Sequence, residues 1–193
     1  LFDATRPEGT LPSLHVVLDL ASVAALAQGL WGTLASGTTL VLGVPDEGQP
    51  ASVSEVLARL GDVGLLTTPR RIRAFQALVS DDVPLGARYA FVASTGDVLA
   101  PRLARFAGQV LTEGPEQVLN LWTRSEAGGC LIATRPGREG YRPGALGLPL
   151  LGIDPCIVND LGQRCVEHES GQLVFRGSWP SLARTFWGQP QRY

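Results

Sequence analysis

Five short apolar runs separated by helix-length connections constrain the fold of this chain more than any other feature. The runs are HVVLD (15–19), TTLVLG (38–43), VGLLTT (63–68), ARYAFVAS (87–94) and EQVLNLW (116–122). Strands joined by helical crossovers pair in parallel, and helices then cover both faces of the sheet. The sequence therefore predicts an α/β fold with a mostly parallel five-stranded sheet and flanking helices.

The connections carry helix signals of their own. Residues 21–35 place apolar side chains at helical spacing and stop before Gly37, and Pro69 precedes the segment RRIRAFQALVS, where a first helical turn accepts proline. Two shorter segments, EVLARLG (55–61) and APRLARFAG (100–108), are predicted to be helical as well.

The character of the sequence changes at Gly128. Beyond it Gly and Pro recur, helical spacing is lost, and the strand candidates are CLIAT (130–134), PCIVND (155–160), GQLVFR (171–176) and ARTFW (183–187). This pattern favours a small antiparallel β unit. We therefore expect an α/β subdomain over residues 1–127 and a β-rich, barrel-like subdomain over residues 128–193.

The composition limits the partners. The 193 residues are 45% hydrophobic and 18% charged, with a formal net charge of −2, so the chain has no basic field for nucleic acid or an anionic membrane surface. Apolar segments are interrupted before they reach spanning length, and no secretory signal precedes them. We expect no nucleic acid partner, no membrane and a cytoplasmic location. Because methionine is absent, we also expect the chain to belong to a larger polypeptide.

Cysteine and histidine give no strong metal signal. Cys130, Cys156 and Cys165 are odd in number and lack C-x-x-C spacing, which disfavours a disulfide framework. Cys156, Cys165 and His168 offer no clear fourth ligand for zinc. His15 begins an apolar run, where a structural histidine is expected.

Polar residues follow two of the predicted strands. Residues 94–97 read STGD after the fourth strand, and the stretch NLWTRSEAGG (120–129) begins at the end of the fifth. Ligands of open α/β sheets bind beyond the carboxyl ends of the strands. The chain has no complete G-x-G-x-x-G, P-loop, G-x-S-x-G or H-E-x-x-H motif. The sequence thus predicts a ligand site without a common catalytic signature.

Five stretches match, in order, the motifs of one family. They are LLTTPRRIRAF (65–75), ASTGDVLAP (93–101), NLWTRSEAGG (120–129), YRPGALGLPLLGIDPCIVNDLGQ (141–163) and WPSLARTFWGQPQRY (179–193). On these residues the chain resembles the adenylate-forming acyl-CoA ligases, specifically the acetyl-CoA synthetase branch. The resemblance implies activation of a small carboxylic acid by ATP and Mg to an acyl-adenylate, followed by transfer to coenzyme A.

The resemblance also assigns a nucleotide site. Gly96 and Asp97 stand at the family's adenine-contacting Gly-Glu, and Asn120 replaces an Asp that contacts adenine. Ser125 replaces a Thr that meets the α-phosphate, and Glu126 stands at the magnesium-associated Glu. These replacements keep hydrogen-bonding character.

The substrate pocket departs further from the family. Trp122 is kept, but Thr123 replaces the Trp that caps the acetate pocket, and Arg124 replaces a neutral Gln. The family's W-x-T-G-H segment corresponds to residues 22–26, where Ala25 and Leu26 replace polar lining. The replacements at Thr123 and Arg124 imply a wider and more polar acyl pocket. The replacements at Ala25 and Leu26 remove polar lining and favour instead a pocket that has collapsed.

The chain contains no lysine: all sixteen of its basic Lys or Arg positions are arginine. The family uses a lysine ammonium to bridge carboxylate and α-phosphate, and one such donor is typically worth about 10² to 10³ in rate. Arginine does not replace it freely. The family's phosphate loop, ribose-binding Asp and carboxy-terminal lid also have no counterpart in the sequence. The chain alone is therefore predicted to be inactive.

Three hypotheses follow. The favoured one is an inactive acetyl-CoA-synthetase-like domain, a pseudoenzyme kept as a structural or interaction module that contacts the rest of a larger polypeptide or a partner subunit. The alternatives are a fragment of a functional AMP-forming ligase, which would use ATP, Mg and coenzyme A, and a non-catalytic module that binds an acyl group or adenylate. A collapsed pocket predicts that Arg124 pairs with Asp97 or Glu126 or turns outward. An open pocket predicts that Arg124 receives an anion.

Overall fold

A seven-stranded sheet organises the computed structural model, which describes residues 13–42, 58–78, 88–135 and 141–193. Its strands are β1 (Ser13–Val16), β2 (Leu40–Leu42), β3 (Val63–Thr67), β4 (Phe91–Ser94), β5 (Val118–Arg124), β6 (Gly129–Ala133) and β7 (Leu148–Pro149). The order across the sheet is β2-β1-β3-β4-β5-β6-β7. All pairs from β1 to β5 are parallel, whereas β6 and β7 add antiparallel strands at one edge. The predicted mostly parallel sheet is confirmed.

The first strand ends earlier than its apolar run suggested. The run extends to residue 19, but β1 stops at Val16. Asp19 accepts hydrogen bonds from the backbone N–H of Ala21 through its side chain and of Ser22 through its carbonyl, each at 2.9 Å. An aspartate that bonds its own backbone two residues on closes a turn. This turn directs the chain into the following helix.

Three helices follow strands as expected. A π-helix over Ala25–Trp31 continues into α1 (Gly32–Ser36). Helix α1 ends at Gly37, which has the left-handed conformation with φ 65°. Helix α2 (Pro69–Leu78) begins with its proline, and α3 (Pro101–Phe106) continues as wide turns over Ala107–Leu111. The first three residues of the predicted helix EVLARLG, 55–57, lie outside the described residues, and residues 58–60 are helical.

Apolar layers cover both faces of the sheet. On one face Val63 and Leu65 pack with Ile72 of α2 and Leu103 of α3. On the opposite face, where alternate residues point, a second cluster joins Leu66 and its neighbours on other strands to the Ala25 helical segment. All five residues of β3 are buried, as a strand covered on both faces requires.

The chain beyond residue 128 combines a continuation of the large sheet with a separate hairpin. Strands β6 and β7 extend the large sheet, whereas β8 (Asp154–Val158) and β9 (Gln172–Arg176) form an antiparallel pair. An apolar cluster that includes Leu131 and Phe175 lies between the two sheets. The antiparallel β unit is confirmed, and the division at residue 127 stays a prediction.

One strand prediction was wrong. Residues 183–187, ARTFW, form no strand. Their β-branched and aromatic composition suits a strand, but Ala183 donates its backbone N–H to the Glu126 carbonyl at 2.8 Å, so the segment is attached to a turn and not to a ladder.

Among the described helices, none is long and apolar enough to cross a membrane.

Candidate functional site

A pocket of about 450 Å³ opens at the carboxyl ends of β4 and β5. We call it the strand-end pocket. Its lining residues are Gly96, Asp97, Val98, Asn120, Leu121, Trp122, Thr123, Arg124, Gly144 and Leu146. Six of the eight residues predicted for the site are in this set. The volume lies within the range of small-molecule sites, about 300 to 1,000 Å³.

Two hydroxyl groups join the ends of the strands that carry the pocket. Thr95, which is 1% exposed, and Thr123 are hydrogen bonded through their Oγ1 atoms at 2.7 Å. Gly96 follows with φ 87°, a conformation that L side chains rarely adopt. The hydrogen bond fixes the separation of the two strand ends, and Gly96 leaves backbone open to a ligand.

Asn120 is the most constrained polar residue of the pocket. It is 4% exposed, its backbone N–H donates to Thr134 Oγ1 at 2.5 Å, and its Nδ2 donates to the carbonyls of Gly144 at 3.0 Å and Ala145 at 3.3 Å. The amide has two N–H donors, and both have partners. The Oδ1 atom therefore remains as an acceptor, which is what an exocyclic amine of a base needs.

Trp122 and Arg124 separate the strand-end pocket from a second concavity. The guanidinium Cζ of Arg124 lies 5.7 Å from the centroid of the Trp122 ring, within cation–π range, and Trp122 packs on Phe175 with ring centroids 4.8 Å apart. Among the described residues, Asp97 and Glu126 form no ion pair with Arg124. The partly buried tryptophan thus packs against the core while its ring contacts the arginine.

Ser125 and Glu126 lie in the turn between β5 and β6, outside the lining of the strand-end pocket. Both are exposed, and Glu126 borders the second concavity, of about 370 Å³. We call this concavity the aromatic groove. Its lining residues are Trp122, Arg124, Glu126, Ala127, Leu131, Phe175, Trp179 and Leu182. The structure therefore separates the predicted phosphate and magnesium residues from the predicted adenine residues by the Trp122–Arg124 pair.

The β5–β6 turn is held from outside. The Ala127 carbonyl accepts the Trp179 indole N–H at 2.9 Å and the Ser181 hydroxyl at 2.8 Å. Gly128 has φ 73°, and a Cβ there would meet Ser181. The Trp179 indole, the Ser181 hydroxyl and the Ala183 backbone N–H all bind this turn, so the backbone that carries Ser125 and Glu126 has a defined position.

The strand-end pocket is open, and the collapse that the sequence favoured for the acyl pocket stays a prediction. Ala25 and Leu26, whose apolar character suggested a filled pocket, do not line the strand-end pocket: Ala25 is buried under the sheet, and Leu26 is 41% exposed. Arg124 lines the open strand-end pocket and has no acidic ion-pair partner within the described ranges.

Sequence reasoning missed part of the lining. Gly144 belongs to the stretch 141–163, in which no site residue was predicted, yet its carbonyl accepts a hydrogen bond from Asn120 and its backbone lines the pocket. It has φ 85°, and a Cβ there would approach the Leu99 carbonyl at 2.8 Å. The dipeptide Pro143-Gly144 was the available signal.

The buried titratable groups do not serve the pocket. Burial raises the pKa of Cys130 to about 11, so this thiol stays neutral and packs as a small apolar group. His15 is 4% exposed and bonds the Tyr89 hydroxyl through Nδ1 at 3.2 Å, and burial raises the pKa of Tyr89. Burial, followed by the charge of Glu116, raises the pKa of Tyr141.

Glu126 is the residue that could hold a magnesium ion. Three acidic, Cys or His side chains do not converge anywhere in the described residues. Mg²⁺ is commonly held by one or two carboxylates together with substrate phosphates. A single exposed carboxylate therefore fits the ion only together with a phosphate ligand.

Solved structures of ligases share this fold. The chain aligns with an anthranilate CoA ligase, AuaEII, in complex with anthranoyl-AMP at a TM-score of 0.75 and 19% identity, covering 94% of this chain and 34% of that one. A benzoate CoA ligase from Burkholderia xenovorans LB400 gives a TM-score of 0.73 and 19% identity, covering 94% and 35%. These likenesses show an acyl-CoA ligase fold.

The sequence comparisons place the chain within a family. The profile of the AMP-binding enzymes matches residues 5–187, so the chain belongs to this family. Acetyl-coenzyme A synthetases from Photobacterium profundum and Shewanella baltica are each 30% identical over 168 residues. The match covers 85% of this chain and 26% of each relative, so the chain spans about a quarter of their length.

Proposed function

We propose that the chain binds an adenylate, either AMP or an acyl-adenylate, in the strand-end pocket and does not form the adenylate by itself. The observation that carries this proposal is the open pocket, which brings together Gly96, Asp97 and Asn120. These are the residues that the family resemblance assigns to adenine. An acceptor at Asn120 Oδ1 that has no partner among the described residues, together with exposed backbone at Gly96, suits a flat base with an amino group.

Catalysis by the chain alone is disfavoured by its charges. The chain has no lysine, and the strand-end pocket has one cation in its described lining, Arg124. A guanidinium next to Trp122 has a different reach and geometry from an ammonium. Magnesium at Glu126 would bind only with the ligand's phosphate, where it would neutralise charge. We therefore propose that adenylate formation requires parts of a longer protein.

Equilibrium binding tests this proposal. We expect AMP to bind the full chain saturably in a calorimetric titration, with a Kd below about 1 mM, which corresponds to about 4 kcal/mol. Val98→Trp should fill the pocket from an exposed position, since Val98 is 81% exposed and lines it. The matched control is Val166→Trp, because Val166 is 69% exposed and lines neither concavity. Equal AMP affinity in both variants would overturn the assignment of this pocket.

Pyrophosphate exchange tests the catalytic half. The chain should show no carboxylate-dependent exchange of pyrophosphate with ATP when acetate, propionate or a longer acid is supplied. Exchange above background would overturn the proposal that the chain alone does not form the adenylate.

An exposed apolar stripe favours a second role as an interaction module. Leu26 is 41% exposed, Trp31 64% and Leu34 59%, and all three lie on the helical segment that precedes β2. Apolar surface of this kind marks interaction sites. Because the chain spans about a quarter of its relatives, we propose that the remainder of a larger polypeptide covers this stripe.

Sedimentation velocity tests the second role. An uncovered stripe should make the chain self-associate with rising concentration, and Leu34→Glu should reduce the association. Leu161→Glu is the control, since Leu161 is 81% exposed and follows β8, away from the stripe in sequence. A chain that stays monomeric, or an equal effect of both variants, would remove the support for this role.

A further inference from the structure

We infer that Arg124 is an anion-binding residue that selects a phosphate-bearing ligand over the free nucleoside. The inference rests on the proposed adenylate site and deepens it by naming the group that recognises the phosphate. At the position of Arg124 the family motif has a neutral amide, so the guanidinium is a feature of this chain.

The position of Arg124 is the first support. Arg124 is the last residue of β5 and borders both the strand-end pocket and the aromatic groove. Trp122 borders both as well. A ligand whose ring occupies the strand-end pocket would therefore extend past Arg124 on its way to the groove.

The free hydrogen-bonding capacity of the guanidinium is the second support. Its Cζ lies 5.7 Å from the Trp122 ring centroid, and its donors have no hydrogen-bond acceptor or acidic partner among the residues that the structure describes. A guanidinium carries five N–H donors in a planar fork that matches phosphate and carboxylate geometry. Contact with the indole fixes the side chain without using those donors. The group is thus held in place with its donors available.

The local charges are the third support. The charged residues in the lining of the strand-end pocket are Arg124 and Asp97. Asp97 Oδ1 accepts the backbone N–H of Val98 at 2.7 Å, and this bond keeps the carboxylate at its own loop. Glu126 lines the aromatic groove together with Arg124 and does not line the strand-end pocket. An anion next to Arg124 would meet one permanent cation, and a magnesium ion at Glu126 would add to the attraction.

The test compares AMP with adenosine on the full chain. Wild type should bind AMP more tightly than adenosine, and Arg124→Gln should weaken AMP by about tenfold while leaving adenosine unchanged, because a charge-assisted hydrogen bond at an exposed site is partly screened. Arg124→Lys should recover part of the AMP affinity, since it restores charge without the planar fork. Arg164→Gln, a change at an exposed arginine that lines neither concavity, should leave both affinities unchanged.

Pyrophosphate provides a readout that does not depend on the nucleoside. The Nε–H resonance of Arg124, assigned by its loss in Arg124→Gln, should shift saturably with pyrophosphate, and added salt should weaken the binding. If AMP and adenosine fail to bind but this shift is present, the adenylate proposal fails and the anion site stands. If wild type binds AMP and adenosine equally, or Arg124→Gln leaves AMP affinity intact, the inference is overturned and the nucleoside pocket stands.

Discussion

Asn120→Asp introduces the residue type that the family resemblance implies at this position, and we expect it to destabilise this chain. Asn120 Nδ2 donates to the carbonyls of Gly144 and Ala145 at 3.0 and 3.3 Å. A carboxylate cannot donate, so the change removes both bonds and places a charge opposite two carbonyl oxygens at a site that is 4% exposed. The lost bonds cost about 2 kcal/mol together.

The charge adds a pH-dependent cost. Burial of this degree raises a carboxyl pKa above its usual value of about 3.9. A raised pKa means that the folded state prefers the neutral acid, so stability is lost as the pH rises through the folded-state pKa. The charge therefore costs more unfolding free energy at pH 7.5 than at pH 5.0.

Urea denaturation at pH 5.0 and pH 7.5, followed by tryptophan fluorescence, measures both contributions. Asn120→Ala is the matched control, because it removes the same two bonds without adding charge. Its difference from wild type should be the same at both pH values, whereas that of Asn120→Asp should be larger at pH 7.5. An Asp variant as stable as wild type, or one whose deficit does not change with pH, would refute the hydrogen-bond assignment at this site.

Three further experiments test other parts of the structure. Iodoacetamide at pH 8 should label Cys156 more than about tenfold faster than Cys130, whose burial raises its pKa to about 11; equal rates in peptide mass spectra would contradict this burial. Gly147→Ala should cost more than about 2 kcal/mol of unfolding free energy, because Gly147 has φ 83° and a Cβ there would meet the backbone at the end of β6. The control is Gly162→Ala, which should cost about 1 kcal/mol, since Gly162 has φ 74° and open space around it. Equal losses in the two variants would refute the clash at Gly147. Trp179→Phe should cost about 1 kcal/mol in the same denaturation assay, since it removes the hydrogen bond to the β5–β6 turn, and an unchanged stability would count against that bond.

Local signals predicted most of the sheet. The apolar runs located β1 to β5 because a strand buried on both faces is nearly continuous in hydrophobic residues, and β3 has all five residues buried. Gly37 and Pro69 marked helix boundaries because each suits the backbone conformation required there. These features depend on residues close together in sequence.

The site was harder to predict because its geometry depends on distant contacts. Ser125 and Glu126 follow Arg124 directly in sequence, yet they lie in a turn that is held by Trp179 and Ser181 and that falls outside the strand-end pocket. The role of Gly144 likewise comes from a hydrogen bond with Asn120 across 24 residues. Sequence order does not specify which side of a strand end a turn will occupy.

The most direct test of the proposed adenylate site is an amide NMR titration of the full chain with AMP. Binding in the strand-end pocket predicts saturable shifts at Gly96, Thr123 and Gly144, with Gly162 and Gly177 unchanged. Amide signals that stay in place up to about 10 mM AMP, well above a Kd of about 1 mM, or shifts that cluster away from the ends of β4 and β5, would contradict the proposed function.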